Sequence, residues 1–146
     1  MKISNKGLAI IKHFEGFREH AYLDTGKVPT IGYGTTKGVR LGQVVTQAQA
    51  EIFLVRDVAE AEAAVSRLVK VKLNQDQFDA LVCFTYNLGQ GNFSGSTLLS
   101  LLNQGHYDQV STQLLRWNKD NGRVIEGLTR RRKAEGVLFN TGKLDF

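Results

Sequence analysis

The placement of chain-breaking residues constrains this chain more than any other feature. Its only proline, Pro29, and five of its 15 glycines (Gly16, Gly26, Gly32, Gly34 and Gly38) crowd between positions 16 and 38, whereas the run from Thr46 to Lys70 contains neither residue type. Glycine and proline interrupt regular ladders and mark turns, so the early stretch reads as a short, irregular β region. The later run reads as helix. Thr46-Gln47-Ala48-Gln49 has the pattern of a capping box, and the Ala-rich sequence that follows, with its Glu and Arg residues, favours one long helix or two nearly continuous ones. Its apolar positions Ile52, Val55, Val58 or Ala59, Ala63 and Leu68 drift around the surface, as in a helix that joins two lobes.

Other elements follow from periodicity and caps. Residues 4 to 15 predict a helix with Ser4 or Asn5 as N-cap, and residues 17 to 36 a hairpin region. Asn74 caps a helix from Gln75 to about Leu88, whose stripe of Phe78, Leu81, Val82, Thr85 and Leu88 marks it as a central core helix. Gly89-Gln90-Gly91-Asn92 ends it. Ser96 opens a short helix through Leu102, His106 to Trp117 gives another, and Asn118-Lys119-Asp120-Asn121-Gly122 is a turn-rich loop. The last helix runs from Gly127 to about Asn140. No internal repeat, low-complexity stretch or linker divides the chain. The fold class expected is α+β and mostly helical.

With 146 residues, 42% of them hydrophobic and 23% charged, the chain is the size of one globular domain. No apolar run approaches the 18 or so residues of a membrane span. Met1-Lys2-Ile3-Ser4-Asn5-Lys6 leads into an amphipathic helix broken by Lys12 and His13, so no signal peptide is expected. The net charge of +5 suits a polyanionic partner. Its densest basic run, Arg130-Arg131-Arg132-Lys133, lacks aromatic interleaving and any nucleic-acid module, leaving a solvated helix face or attraction to wall polymer. Nucleic acid is not an expected partner. The single cysteine, Cys83, lies among apolar neighbours and reads as a buried, inert thiol. His13, His20 and His106 have no metal-ligand spacing, and no metal site is expected.

Two carboxylates carry the chemistry. Leu8, Ile11 and Glu15 are spaced i, i+3, i+7, so Glu15 ends an otherwise apolar stripe. Gly16 is a plausible C-cap, which sets Glu15 in the last helical turn near the negative end of the helix dipole. Both effects disfavour the anion, and general-acid work requires a carboxylic acid whose proton is available to a leaving group. Taken singly, Glu15 also describes a rim glutamate with only its methylenes packed. The second carboxylate, Asp24, precedes the Thr25-Gly26 turn signal and belongs at a wet hairpin tip. Carboxyls in such different surroundings suit a glycosidase pair. Thr30 on the returning strand offers a hydroxyl that could hold a water. It shares a face with Asp24 if the hairpin pairs 24 with 28, and lies on the opposite face if 24 pairs with 27. Both registers remain open from the sequence.

Glu15, eight residues, Asp24, five residues, Thr30, and then Ile31-Gly32-Tyr33-Gly34 resembles the catalytic signature of the phage-type lysozymes, glycoside hydrolase family 24. The chain is most similar to the soluble endolysins of phages of Gram-negative bacteria. Two later blocks extend the resemblance: Phe84-Thr85-Tyr86-Asn87-Leu88-Gly89 with Phe93 and Ser96 to Leu99, and Trp117 with Gly127-Leu128-Thr129-Arg130-Arg131-Arg132 and Glu135. The resemblance implies a two-lobed lysozyme-like fold, with a small hairpin lobe at about 16–50, a connecting helix at about 47–70 and a helical lobe of 1–15 plus 73–146, the whole being one catalytic domain. It implies Glu15 as general acid, Asp24 as the carboxylate on the opposite face of the sugar and Thr30 as positioner of the attacking water. Asn87, Tyr86 and Gly34 would contact substrate. Arg131 would support Glu15, and its charge would favour the anion, against the desolvation argument. Asn87 and Trp117 also have ordinary readings, as helix C-terminal and core residues. Thr35 stands where relatives often carry histidine, which puts a structural ion pair there in doubt.

The activity implied is hydrolysis of the β-1,4 bond between N-acetylmuramic acid and N-acetylglucosamine in peptidoglycan, inverting and without cofactor, by a monomer. The protein would be made in the host cytoplasm and act on the wall from the periplasm once a holin had opened the inner membrane, with no stable membrane insertion of its own. The rivals are a lytic transglycosylase, which needs one acid and no water, and a non-enzymatic cationic wall-binding or membrane-disrupting protein acting through the basic C-terminal helix.

Overall fold

A computed structural model describes all 146 residues. By their internal contacts they form two units, Ile11–Ala59 and a second made of Met1–Ile10 with Glu60–Phe146. Helix α1 (Asn5–Glu15) and helix α2 (Gln47–Leu68) each contribute residues to both. The chain is mostly helical, with two small antiparallel hairpins. No helix is long and apolar enough to cross a membrane.

In the Ile11–Ala59 unit, α1 ends where Gly16 takes φ +71° and its N–H returns to the Lys12 carbonyl at 2.9 Å. Glycine adopts this left-handed conformation without a Cβ penalty, so the helix stops directly after Glu15. Strands β1 (Arg18–Leu23) and β2 (Pro29–Gly32) then pair antiparallel, Tyr22 opposite Thr30 and Leu23 opposite Pro29. The chain doubles back again: Ile31 and Thr35 exchange both backbone hydrogen bonds at 2.9 Å, with Gly32 and Gly34 at positive φ between them. A Cβ on Gly32 would also sit 3.0 Å from that of Ala50. The segment around Val44 bonds along β1, Ala21 N–H to the Gln43 carbonyl and Val45 N–H to the Glu19 carbonyl, both at 3.0 Å.

Helix α2 is one continuous helix whose start is the expected capping box, Thr46 and Gln49 each accepting the other's backbone N–H at about 3 Å. Its packed stripe differs from the one expected. Ala50, Leu54, Val58, Ala61, Ala64 and Val65 are the buried positions, while Ile52 and Val55 are 67% and 57% exposed. Small residues let neighbouring backbone approach closely, so alanines take the inner face even where larger apolar side chains lie on the outer one.

The helical unit is built on α3 (Gln75–Leu88) and α7 (Glu126–Thr141), which pack against each other, with α6 (Val110–Leu115) also against α7. Asn74 and Gln77 form a reciprocal capping box at the start of α3. Ser4, one of the two residues expected as N-cap, directly precedes α1 and turns its hydroxyl to Asp79 on α3, its N–H reaching the same carboxylate at 3.0 Å. Gly142 closes α7 at φ +74°. Cys83 is buried, its S–H reaching the Gly7 carbonyl at 3.2 Å, and burial pushes the thiol well above its ordinary range.

Three local features depart from expectation. The segment Gln90–Ser94, expected as the end of a helix, forms a short helix α4 before α5 (Thr97–Asn103). The expected helix from His106 to Trp117 is instead a 3₁₀ turn at Tyr107–Gln109 followed by α6. The loop at 118–122 forms a hairpin, β3 (Lys119–Asp120) with β4 (Arg123–Val124), across Asn121 and Gly122 at φ +51° and +77°. Asn-Gly is the strongest two-residue hairpin signal. It escapes a reading based on hydrophobic periodicity because both strands are only two residues long.

Candidate active site in the hairpin unit

The hairpin adopts the register that aligns Asp24 with Thr30. Asp24 N–H donates to the Val28 carbonyl at 3.1 Å and Lys27 N–H to the Asp24 carbonyl at 2.8 Å, closing a three-residue loop of Thr25, Gly26 and Lys27. Thr30 is directly opposite Tyr22, and Asp24, two residues beyond Tyr22, falls on the same face by the period-two rule. The left-handed position of this loop is Lys27 at φ +61°, not the glycine.

The two hairpin side chains are held locally. Asp24 Oδ1 accepts the Val28 N–H at 2.9 Å, which fixes the carboxylate over its own turn. Thr30 is only 5% exposed and donates its hydroxyl to the Val28 carbonyl at 2.9 Å. With that proton spent, the Thr30 oxygen offers lone pairs, so towards a water it acts as an acceptor. Tyr22 carries the Arg18 guanidinium 4.0 Å from its ring centre, bringing a cation to the same strand. Glu15, in the same unit, is the last residue of α1 and is half-buried.

Around this trio the packing is firm. Tyr33 is buried, accepts from Gln47 Nε2 at 3.0 Å, and stacks at an angle against Phe17 at 5.6 Å between ring centres. Lys12 pairs with Glu51 at 2.5 Å. At the position where a structural ion pair was in doubt, Thr35 is buried and donates its hydroxyl to Asp57 Oδ2 at 2.6 Å, while Asp57 Oδ1 takes the Arg56 guanidinium at 3.2 Å. A neutral hydroxyl thus satisfies one oxygen of the carboxylate and a cation the other. A cavity of about 360 Å³ opens beside this pair, lined by Val39, Val44, Phe53, Lys37 and Arg56 among others. Neither Glu15, Asp24 nor Thr30 lines it.

The chain matches the family model described as phage lysozyme over residues 12–135. It belongs to the phage lysozyme family. Among its relatives is an endolysin of Bacillus phage B103, 45% identical over 146 residues; the match takes in 98% of this chain and 56% of that relative's length. Two solved structures are similar throughout. An endolysin from Escherichia coli O157:H7 phage FAHEc1 superposes with a TM-score of 0.93 at 37% identity, covering 100% of this chain and 98% of the other. The muramidase domain of SpmX from Asticaccaulis excentricus superposes at 0.91 with 38% identity, covering 96% and 98%. The lysozyme-like fold expected from the family resemblance is therefore the fold observed.

The later blocks of that resemblance fall in the helical unit. Tyr86 and Asn87, half-buried, occupy the last turn of α3. Arg131 is 5% exposed, its Nε 3.9 Å from Glu135 Oε2. Gly34, in the other unit, takes φ +93° in the turn after β2. The basic run is no solvated face: two of its four cations, Arg131 and Arg132, are buried inside α7's packed side.

Arg132 is the residue that sequence reading passed over. It is fully enclosed, with Nε 2.7 Å from Glu135 Oε1 as an ion pair, Nη2 3.0 Å from Glu135 Oε2 and 2.9 Å from Asn87 Oδ1, and Nη1 3.4 Å from the Trp117 carbonyl. Its guanidinium lies 5.1 Å from the Phe84 ring centre, and Trp117 meets the same ring edge-on at 5.7 Å. Burial pushes Glu135 above the usual glutamate range and draws Arg132 below its own, each opposed by the charge of the other. The signal was present as Arg132 and Glu135 at i, i+3, but nothing in a run of four cations says which one turns inward.

Proposed function

We propose that this chain is a muramidase that hydrolyses the β-1,4 bond between N-acetylmuramic acid and N-acetylglucosamine in peptidoglycan. Glu15 protonates the departing glycosidic oxygen. Asp24 receives the proton of a water that attacks the anomeric carbon from the opposite face, and Thr30 holds that water through its lone pairs. The observation that carries this reading is the hairpin register: pairing across a three-residue loop aligns Asp24 with Thr30, and the Val28 N–H holds the carboxylate there. The outcome is inversion, which needs about 6.5–9.5 Å between the carboxyls. Membership of the phage lysozyme family supports the substrate class, and the names endolysin and muramidase among the similar proteins support bacterial wall lysis.

Asn87, Tyr86 and Gly34 contact the glycan, and Arg131 supports the acid. The chain works as one catalytic domain and a monomer without a cofactor, reaching the wall after a holin has permeabilised the inner membrane. The test is mass spectrometry of purified peptidoglycan digested in parallel by the wild type and by Glu15→Gln. Reducing-end muropeptides from the wild type alone are expected. Anhydro-muropeptides would make the enzyme a lytic transglycosylase, and no soluble product from either would remove the hydrolase reading altogether.

A further inference from the structure

We infer that Arg132 is a positioning residue whose task is to aim the side-chain amide of Asn87, so that Asn87 presents its N–H2 group as a directed donor to a carbonyl of the bound glycan. This rests on the hydrolase reading above and adds a specificity-determining pair to it. An Asn amide can turn by half a revolution, exchanging donor and acceptor at little cost, and packing alone rarely decides between the two. Here the neighbour decides. Arg132 Nη2 lies 2.9 Å from the Asn87 side chain, and a guanidinium has donors only, so the atom facing it is Oδ1. The N–H2 must then face away from Arg132, and within the protein it has no acceptor. Asn87 is half-buried at the end of α3, where those two donors are partly withdrawn from water and gain most from an acceptor on a ligand.

The arginine itself is locked so that it cannot follow the amide. Glu135 holds it through both carboxylate oxygens, and it lies over the Phe84 ring. A fully enclosed ion pair is a poor source of stability, because desolvation offsets its attraction and an apolar pair of the same volume does as well or better. What an apolar pair could not do is fix the direction of a neighbouring amide. The acceptor it suits is a neutral carbonyl, either the acetamido group of an N-acetylated sugar or a peptide carbonyl carried on the glycan.

Three variants separate this from a purely structural role. Asn87→Asp keeps an oxygen for Arg132 but removes both donors; it should melt no lower than the wild type and yet raise KM about tenfold with kcat little changed. The double variant R132M/E135L replaces the ion pair with apolar groups of similar volume. It should stay folded by thermal melt and raise KM several-fold in the wild type, but cost nothing further once Asn87 is already alanine. Wild-type KM in N87D, or an equal loss from R132M/E135L whether or not Asn87 is present, would overturn the proposal; should the double variant not fold, N87D decides alone. Glycan strands stripped of peptide distinguish the acceptor: the N87D effect persists on them for an acetamido carbonyl and vanishes for a peptide one. A wild type that releases no muropeptides is a failure of the hydrolase reading instead, and is seen before any variant is made.

Discussion

Glu15 and Glu135 are both helix glutamates, and the two units treat them in opposite ways. Glu15 closes α1, partly open, at a glycine-terminated helix end beside a hairpin that carries a second carboxylate. Glu135 lies inside α7 with no exposed surface, clasped by Arg132 and approached by Arg131. Burial pushes the enclosed carboxyl of Glu135 above the usual glutamate range. Perturbation marks candidate sites only in company with access, since a group sealed in a core can hold a neighbour but cannot meet a substrate.

The contrast can be broken most directly at Glu15. Replacing it by glutamine should lower the rate of peptidoglycan hydrolysis by about 10²–10⁴-fold, the range for loss of a general acid, with the thermal midpoint unchanged. A loss of fold with activity would make Glu15 a structural residue like Glu135.

The converse experiment is Arg132→Met alone, which leaves Glu135 enclosed without its main partner. Denaturant unfolding should show a loss of about 3–5 kcal/mol. The pH dependence sharpens it. A buried Glu135 holds its proton in the folded state to higher pH than in the unfolded chain. The folded state is therefore favoured below the ordinary glutamate range and loses stability as pH rises towards the raised folded value. The slope should be steeper in R132M, because the opposing cation is gone. A flat profile would mean that Glu135 is solvated.

Smaller effects test the scaffold of the hairpin unit. Thr35→Val removes the hydroxyl that donates to Asp57 and should cost about 1.5–3 kcal/mol by denaturant unfolding, the range for hydrogen bonds to charged groups. No loss would show that Arg56 alone satisfies Asp57. The smallest change expected is a gain. Lys27 sits at φ +61°, a conformation that glycine enters freely, so Lys27→Gly should stabilise by about 0.5–1 kcal/mol, net of the extra entropy glycine loses. Hydrolytic activity should stay within twofold, and a larger change would mean that loop strain helps to set Asp24.

Much of this was legible in the residues. Gly16 as the stop after Glu15, the Thr46 capping box, Asn74 as a helix cap and the buried thiol of Cys83 are all local decisions, made by backbone conformation, a side chain three residues away or an apolar neighbourhood. The spacing of Glu15, Asp24 and Thr30 was equally plain. Local chemistry was less decisive at 106–117 and 118–122, where one expected helix split and one expected loop paired, because these elements are too short for periodicity to describe.

What the sequence determined alone was the division of labour: a helix that ends on one carboxylate, a glycine-punctuated β stretch bearing the other, then helices. It could not choose between pairing Asp24 with Val28 and pairing it with Lys27, since both loops satisfy the same turn residues; the backbone bonds of the folded hairpin chose the first. Nor could it say that Ala50, Leu54, Val58, Ala61 and Val65, not Ile52 and Val55, are the inner face of α2, or that Arg132 turns inward to Glu135 and Asn87. Those choices depend on partners 45 residues away for Arg132 and Asn87, and on how closely Ala50 must approach Gly32. Contacts between residues remote in sequence are decided by shape and by where buried charge can be satisfied, and both exist only once the chain has packed.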